Sequence, residues 1–156
     1  MPGSSVQRAV PVCCVLIERD GLVLVAQRPP GKHLAHKWEF PGGKIETHES
    51  ASEALHREIA EELHCRLSHL RPLILSTHDY TDTRIVLHPF VARLAAGSPE
   101  PSAREHVAIR WIEPRELLTL DLAAADIPVA ADYLSRNPNT KKRSPEDSAR
   151  ENQTNA

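Results

Sequence analysis

The chain has 156 residues, 40 % of them hydrophobic, which suffices for one well-buried domain and no more. A formal net charge of −2 exerts no global pull on nucleic acid or an anionic membrane, so an anionic ligand has to be met locally, by a few cations or a metal. Three cysteines, with Cys13 and Cys14 adjacent, make no disulfide framework and fit a reducing cytosol, and no stretch approaches the roughly 20 apolar residues of a membrane span.

Residues 1–7 are expected to form a flexible lead-in. The apolar run from Ala9 to Ile17 follows Arg8 but contains Pro11 and lacks a small-residue cleavage site, so it is a strand and not a signal core. Asp20-Gly21 supplies hairpin chemistry before the second run at 22–27, and the near-continuous apolar character suggests strands buried on both faces. A Pro/Gly/basic loop follows at 28–37. Residues 38–46 form a short strand expected to break at Pro41-Gly42-Gly43, and 49–63 carry helical periodicity. Strands are predicted at 72–80 and 83–94, with Pro89 marking an edge or bulge in the second, and at 106–112. A helix begins near Asp126, with Ile127, Ala130, Ala131 and Leu134 as its apolar stripe. From 137 a disordered tail is expected, its KKR run (141–143) solvated. The mixture gives one domain over 8–136 of mixed α and β class.

The segment REIAEELH (57–64) holds Glu58, Glu61 and Glu62. At about 100° per residue Ala54, Leu55, Ile59 and Leu63 make one apolar stripe. Glu58 and Glu62 fall inside it, Glu61 lies on its margin, and Arg57 faces away. Carboxylates there are costly unless paired or bound to a metal. A divalent cation resolves this, and all-oxygen ligands suit Mg²⁺ or Mn²⁺; a buried ion-pair network is the alternative.

Written out, GKIETHESASEALHREIAEELHC (43–65) resembles the Nudix box: Gly43, Glu49, Arg57, Glu58, Ile59, Glu61, Glu62 and Cys65 are in register, and His64 replaces the final glycine. QRPPGKHLAHKWEFPGGKIE (27–46) is similar to the matching segment of MutT-type nucleoside triphosphate pyrophosphohydrolases. The resemblance implies an α/β (α+β) fold, with a mixed β-sheet sandwiched between α-helices, and Mg²⁺-dependent hydrolysis of nucleoside triphosphates, Mn²⁺ substituting. It also implies roles. Glu58 and Glu62 would be the principal metal ligands, assisted by Glu61 and the Gly42 carbonyl, with Glu49 and Arg57 orienting loop and helix. Glu105 would bind metal or activate water, and Arg28 would contact phosphate. His64 is expected to end the helix in the left-handed conformation, at a small cost in stability.

The segment AAADIPVA (123–130) resembles the base-reading stretch of the MutT group, with Asp126 where the archetype has asparagine. An ionised aspartate offers acceptors to the donors of guanine or to the amino group of cytosine; its bland role is an N-cap. Trp38, Phe40 and Tyr80 could stack on a base or belong to the core. The expected activity is nucleotide-pool sanitation, such as hydrolysis of 8-oxo-dGTP. The alternatives are a CTP or modified-dCTP pyrophosphohydrolase and a non-catalytic nucleotide sensor. The partner implied is a nucleoside triphosphate, with no stable nucleic-acid complex and no membrane, for a cytoplasmic monomer or small homo-oligomer.

Overall fold

Asp20 and Gly21 adopt positive φ of 53° and 77° in the computed structural model, which describes residues 8–136. A tight hairpin of the primed type needs this pair, and it folds β1 (Arg8–Arg19) onto β2 (Leu22–Gln27), with Arg19 opposite Leu22. The expected lead-in at 1–7 and the tail at 137–156, with its KKR run, lie outside the described residues.

β1 also pairs in parallel with β7 (Thr83–Leu94) along its length, from Arg8 opposite Thr83 to Glu18 opposite Arg93. The other ladders between strands of the described residues are antiparallel: β3 (Trp38–Glu39) and β8 (Ala108–Ile112) on β2, β4 (Gly42–Lys44) on β1, and β5 (Leu67–Pro72) and β6 (Ser76–Asp79) on β7. The sheet is therefore mixed. Alternation along β1 sends Cys13, Val15 and Ile17 to one face, where they pack with Ala54, Leu55, Ile59 and Leu63 of α1 (Ala51–Leu63). Cys14 and Leu16 go to the other face, against Val129, Ala130 and Tyr133 of α2 (Ile127–Arg136). Each large apolar side chain buried this way contributes about 1.5–3 kcal/mol.

Local expectations needed four corrections. The break expected at Pro41-Gly42-Gly43 falls at Phe40-Pro41, and Gly42 and Gly43 themselves form β4, which at Gly42 admits only a residue without a Cβ. A Cβ on Gly42 would collide with the Cys13 carbonyl. The strand expected at 72–80 is two strands, and β5 lies mostly before it; His69 at positive φ and a register shift between Ser68 and Arg71 break the alternation that would have revealed it. Pro89 is on no edge: β6 pairs with β7 as far as Leu87 and β5 from Phe90, so proline falls where the partner strand changes, its carbonyl accepting from Leu73 N–H at 2.9 Å. The buried face of α2 lies one residue off the expected stripe. Asp126, Val129, Ala130 and Tyr133 are buried, whereas Ile127 is 55 % exposed.

Candidate active site

The helix that carries the glutamates starts on a capping box. Ser50 Oγ accepts from Glu53 N–H at 3.1 Å, and the Glu53 carboxylate accepts from Ser50 N–H at 3.2 Å. It ends at His64, in the left-handed conformation (φ 53°, ψ 40°), whose N–H reaches the Ala60 carbonyl at 3.2 Å. Between these ends, Glu58 and Glu62 lie on the sheet-facing side as the wheel indicates, and Glu61 is 57 % exposed at the margin.

Arg57 departs from the wheel. The wheel fixes the direction of its Cα–Cβ bond but not its reach, and the guanidinium curls back over the loop after β4. It donates to Glu49 at 2.6 and 3.1 Å, to the Lys44 carbonyl at 3.1 Å, and to Glu58 Oε1 at 2.9 Å. Glu49 in turn accepts from Glu46 N–H at 2.8 Å. Glu58 is thus the paired member, which is the ion-pair alternative for that residue. Arg57 holds the Glu49 carboxyl below the usual range, while burial, only partly offset by Arg57, raises that of Glu58. Glu58 also lies against Gly43, where a Cβ would meet its carboxylate oxygens at 2.5 and 2.7 Å.

Glu62 has no such partner. Its Oε2 is buried without a hydrogen bond, and burial, followed by the charges of Glu58, Glu39 and Glu105, pushes its carboxyl up to about 8. A hydrogen bond with the Gly42 backbone acts in the opposite direction. Among the described residues no three acidic, His or Cys side chains converge into a ready cation cluster. The chemistry still fits a hard divalent cation: an orphaned carboxylate oxygen, a second carboxylate one turn away, and exposed Glu61 and Glu105 beside them, oxygen donors throughout.

Arg28 leaves the end of β2 and is held in place. Its Nε donates to the His33 carbonyl at 2.8 Å, and its Nη1 to both oxygens of Glu39, at 2.9 and 3.2 Å. Glu39 Oε1 also accepts from His106 Nε2 at 3.1 Å. Neither Glu39 nor His106 stood out in the sequence, since one carboxylate in a strand and one of nine histidines carry no spacing signal.

On the α2 side Asp126 is buried and accepts from the Phe40 N–H at 3.0 Å, across 86 positions of sequence. It closes a 3-10 turn, Ala124–Asp126, that runs directly into α2, so it ties that turn to the residue following β3 and does not act as an N-cap. Burial pushes its carboxyl up to about 7, with Glu39 adding to the rise and the Phe40 N–H and Arg28 opposing it. Tyr80 lies within reach of the same charge, edge-on to His33 and His78 at ring-centroid distances of 5.2 and 4.5 Å. The Phe40 ring is only 3 % exposed and belongs to the core, and its N–H is taken up by Asp126. Trp38 packs against the same cluster with the Arg110 guanidinium 5.5 Å over its ring. Asp126, Tyr80 and the Phe40 backbone are therefore brought together, and Trp38 is at the core margin. His33 and His78, which flank Tyr80, were not singled out in the sequence.

Residues 12–132 match the NUDIX domain family, and the chain belongs to it as a Nudix hydrolase. It is 37 % identical over 129 residues to the CTP pyrophosphohydrolase of Escherichia coli strain K12, covering 82 % of this chain and 93 % of the relative. To the 8-oxo-dGTP diphosphatase of the same strain it is 30 % identical over 117 residues, 75 % and 89 % of the two chains. The crystal structure of a MutT NUDIX hydrolase from Burkholderia pseudomallei superposes with a TM-score of 0.72 at 27 % identity, over 80 % of this chain and 98 % of that one. No helix among the described residues is long and apolar enough to cross a membrane.

Proposed function

We propose that the protein hydrolyses (deoxy)nucleoside triphosphates to monophosphate and pyrophosphate in the cytosol, with Mg²⁺ as cofactor, Mn²⁺ substituting, and an oxidised purine such as 8-oxo-dGTP as substrate. The observation that carries this reading is the buried, unpartnered Glu62 oxygen one helical turn from Glu58, set against the Gly42-Gly43 strand. Glu58 and Glu62, with Glu61, Glu105 and the Gly42 carbonyl, would hold the ion. When bound, the ion neutralises polyphosphate charge and lowers the pKa of a coordinated water. Arg57 and Glu49 keep Glu58 oriented. Arg28, held by Glu39 and the His33 carbonyl, contacts phosphate oxygens, and the exposed Glu105 carboxylate takes the proton of the attacking water. Asp126, with the Phe40 N–H beside it, faces the base, and Tyr80 provides an aromatic wall.

A second substrate reading, a pyrimidine triphosphate, is supported by the CTP pyrophosphohydrolase relative and by the acceptor character of an aspartate at 126. A panel of 8-oxo-dGTP, dGTP, CTP, modified dCTP and ADP-ribose, assayed for pyrophosphate against phosphate release, decides between them. Selectivity for a pyrimidine overturns the purine choice. No hydrolysis of any member with Mg²⁺ or Mn²⁺ favours the non-catalytic sensor.

A further inference from the structure

The carboxylate of Glu39 stands between two parts of the site that the sequence places far apart. On one side it takes both Nη1 contacts of Arg28, whose Nε is fixed by the His33 carbonyl, so the guanidinium is held through two of its three nitrogens. On the other side it accepts from Nε2 of His106, a side chain only 6 % exposed. His106 follows Glu105 directly, and the next residue, Val107, is pinned by its N–H to the Gln27 carbonyl at 3.0 Å before β8 begins. The segment that delivers Glu105 therefore enters the sheet through His106.

We propose that Glu39 and His106 are positioning residues: one carboxylate aims the Arg28 guanidinium at the substrate phosphates and, through the His106 ring, holds the backbone from which Glu105 reaches the attacking water. This inference rests on the hydrolase reading above. A purely structural tie would not need a charge here. Glu39 faces a neighbourhood that already holds Glu62 and Glu105, and it adds to the burden on Glu62, so an anion is an electrostatic liability in that place. What only a carboxylate supplies is two acceptor oxygens at once, for an arginine and an imidazole; an amide offers one. With Nε2 donating, His106 Nδ1 is left buried without a partner, so the ring is held from the Glu39 side alone.

The two arms predict different kinetic signatures. Glu39→Gln is expected to raise KM and lower kcat, each within the range of about 10–100-fold typical of groups that orient a site's ligands. His106→Ala is expected to lower kcat by a similar factor with KM within about twofold, because Arg28 keeps its Glu39 contact. His106→Gln, whose amide nitrogen can stand near the ring Nε2 and donate to Glu39, recovers most of kcat. Two measurements do not depend on turnover. The His106 Nε2–H resonance is expected to exchange slowly in the metal-free wild type and to broaden in Glu39→Gln, and the melting temperatures of all three variants to stay within about 4 °C of wild type. Variants that melt lower but keep wild-type kcat and KM once folded overturn the inference while leaving the hydrolase reading intact. A well-folded wild type that hydrolyses no nucleotide overturns both.

Discussion

Replacing Gly43 by alanine separates chemistry from folding with a single methyl group. The new Cβ would stand 2.5 and 2.7 Å from the Glu58 carboxylate oxygens, about 1 Å inside ordinary van der Waals contact. What it meets is the far end of a side chain, and Gly43 has no positive φ, so the backbone accepts the residue and Glu58 gives way. A displacement of about 1 Å breaks the 2.9 Å contact from Arg57 and removes a carboxylate from its working position, which costs about 100-fold in rate, or about 2.7 kcal/mol. Stability should fall by less than about 1 kcal/mol. The adjacent Gly42 is the control, because its Cβ would overlap the Cys13 main-chain carbonyl, which cannot move without opening the β1–β4 ladder. The assays are kcat/KM for pyrophosphate release and thermal melting by circular dichroism. Gly43→Ala is expected to melt within about 4 °C of wild type with activity down about 100-fold, and Gly42→Ala to melt far lower or not to fold. Wild-type activity in Gly43→Ala would refute the placement of Glu58. An equal loss of stability in both variants would show that Gly43 serves the sheet and not the carboxylate.

Asp126 gives a pH test. Its carboxyl rises from 3.8 to about 7 on folding, so the fold favours the protonated form; the contribution is complete below 3.8 and lost as pH climbs through 7. At about 1.4 kcal/mol per pH unit this is on the order of 4 kcal/mol, and Asp126→Asn should gain on wild type in melting temperature between pH 4 and pH 8; a constant difference sinks the assignment. Glu62→Gln should stabilise the metal-free protein at alkaline pH by removing an unpaired buried charge, yet abolish the stabilisation by Mg²⁺ expected of the wild type, about 2.7 kcal/mol at one hundred times Kd; a variant still stabilised by Mg²⁺ would take Glu62 out of the metal site. His64→Gly relieves a left-handed non-glycine residue at the end of α1 and should add up to about 1 kcal/mol in denaturant melts with kcat unchanged, whereas a large gain in activity would mean that the helix end takes part in the chemistry.

Periodicity sufficed wherever a residue's neighbours along one element determined its surroundings. α1 put Glu58 and Glu62 on the sheet side because 3.6-residue geometry leaves no other place for them, and the Asp20-Gly21 pair could only be a tight hairpin. The same method failed for Arg57, whose long side chain reaches against the direction of its Cβ, and for α2, where a buried aspartate occupies the position expected of an apolar residue. An aspartate reads as polar surface until its partner is known, and the Phe40 N–H lies 86 positions away. Glu39 and His106 were illegible for the same reason. Their meeting is a product of β2 pairing on one side with β3 and on the other with β8, and no local pattern encodes it. The register of the Nudix box found residues whose spacing is fixed along one loop and one helix, and was silent on those contributed singly by distant strands.

The bond from Phe40 N–H to Asp126 also has a consequence in time. The helix with the glutamates, the Gly42-Gly43 strand and Arg28 all lie in the first half of the chain, whereas Asp126, the proposed base contact, waits for the 3-10 turn that precedes α2. A chain still emerging from the ribosome thus exposes Glu58, Glu61, Glu62 and Glu105 before Asp126 is made. Nucleotide binding by a stalled nascent chain should switch on only when residue 126 clears the exit tunnel, so that base recognition itself reports that synthesis has passed that point.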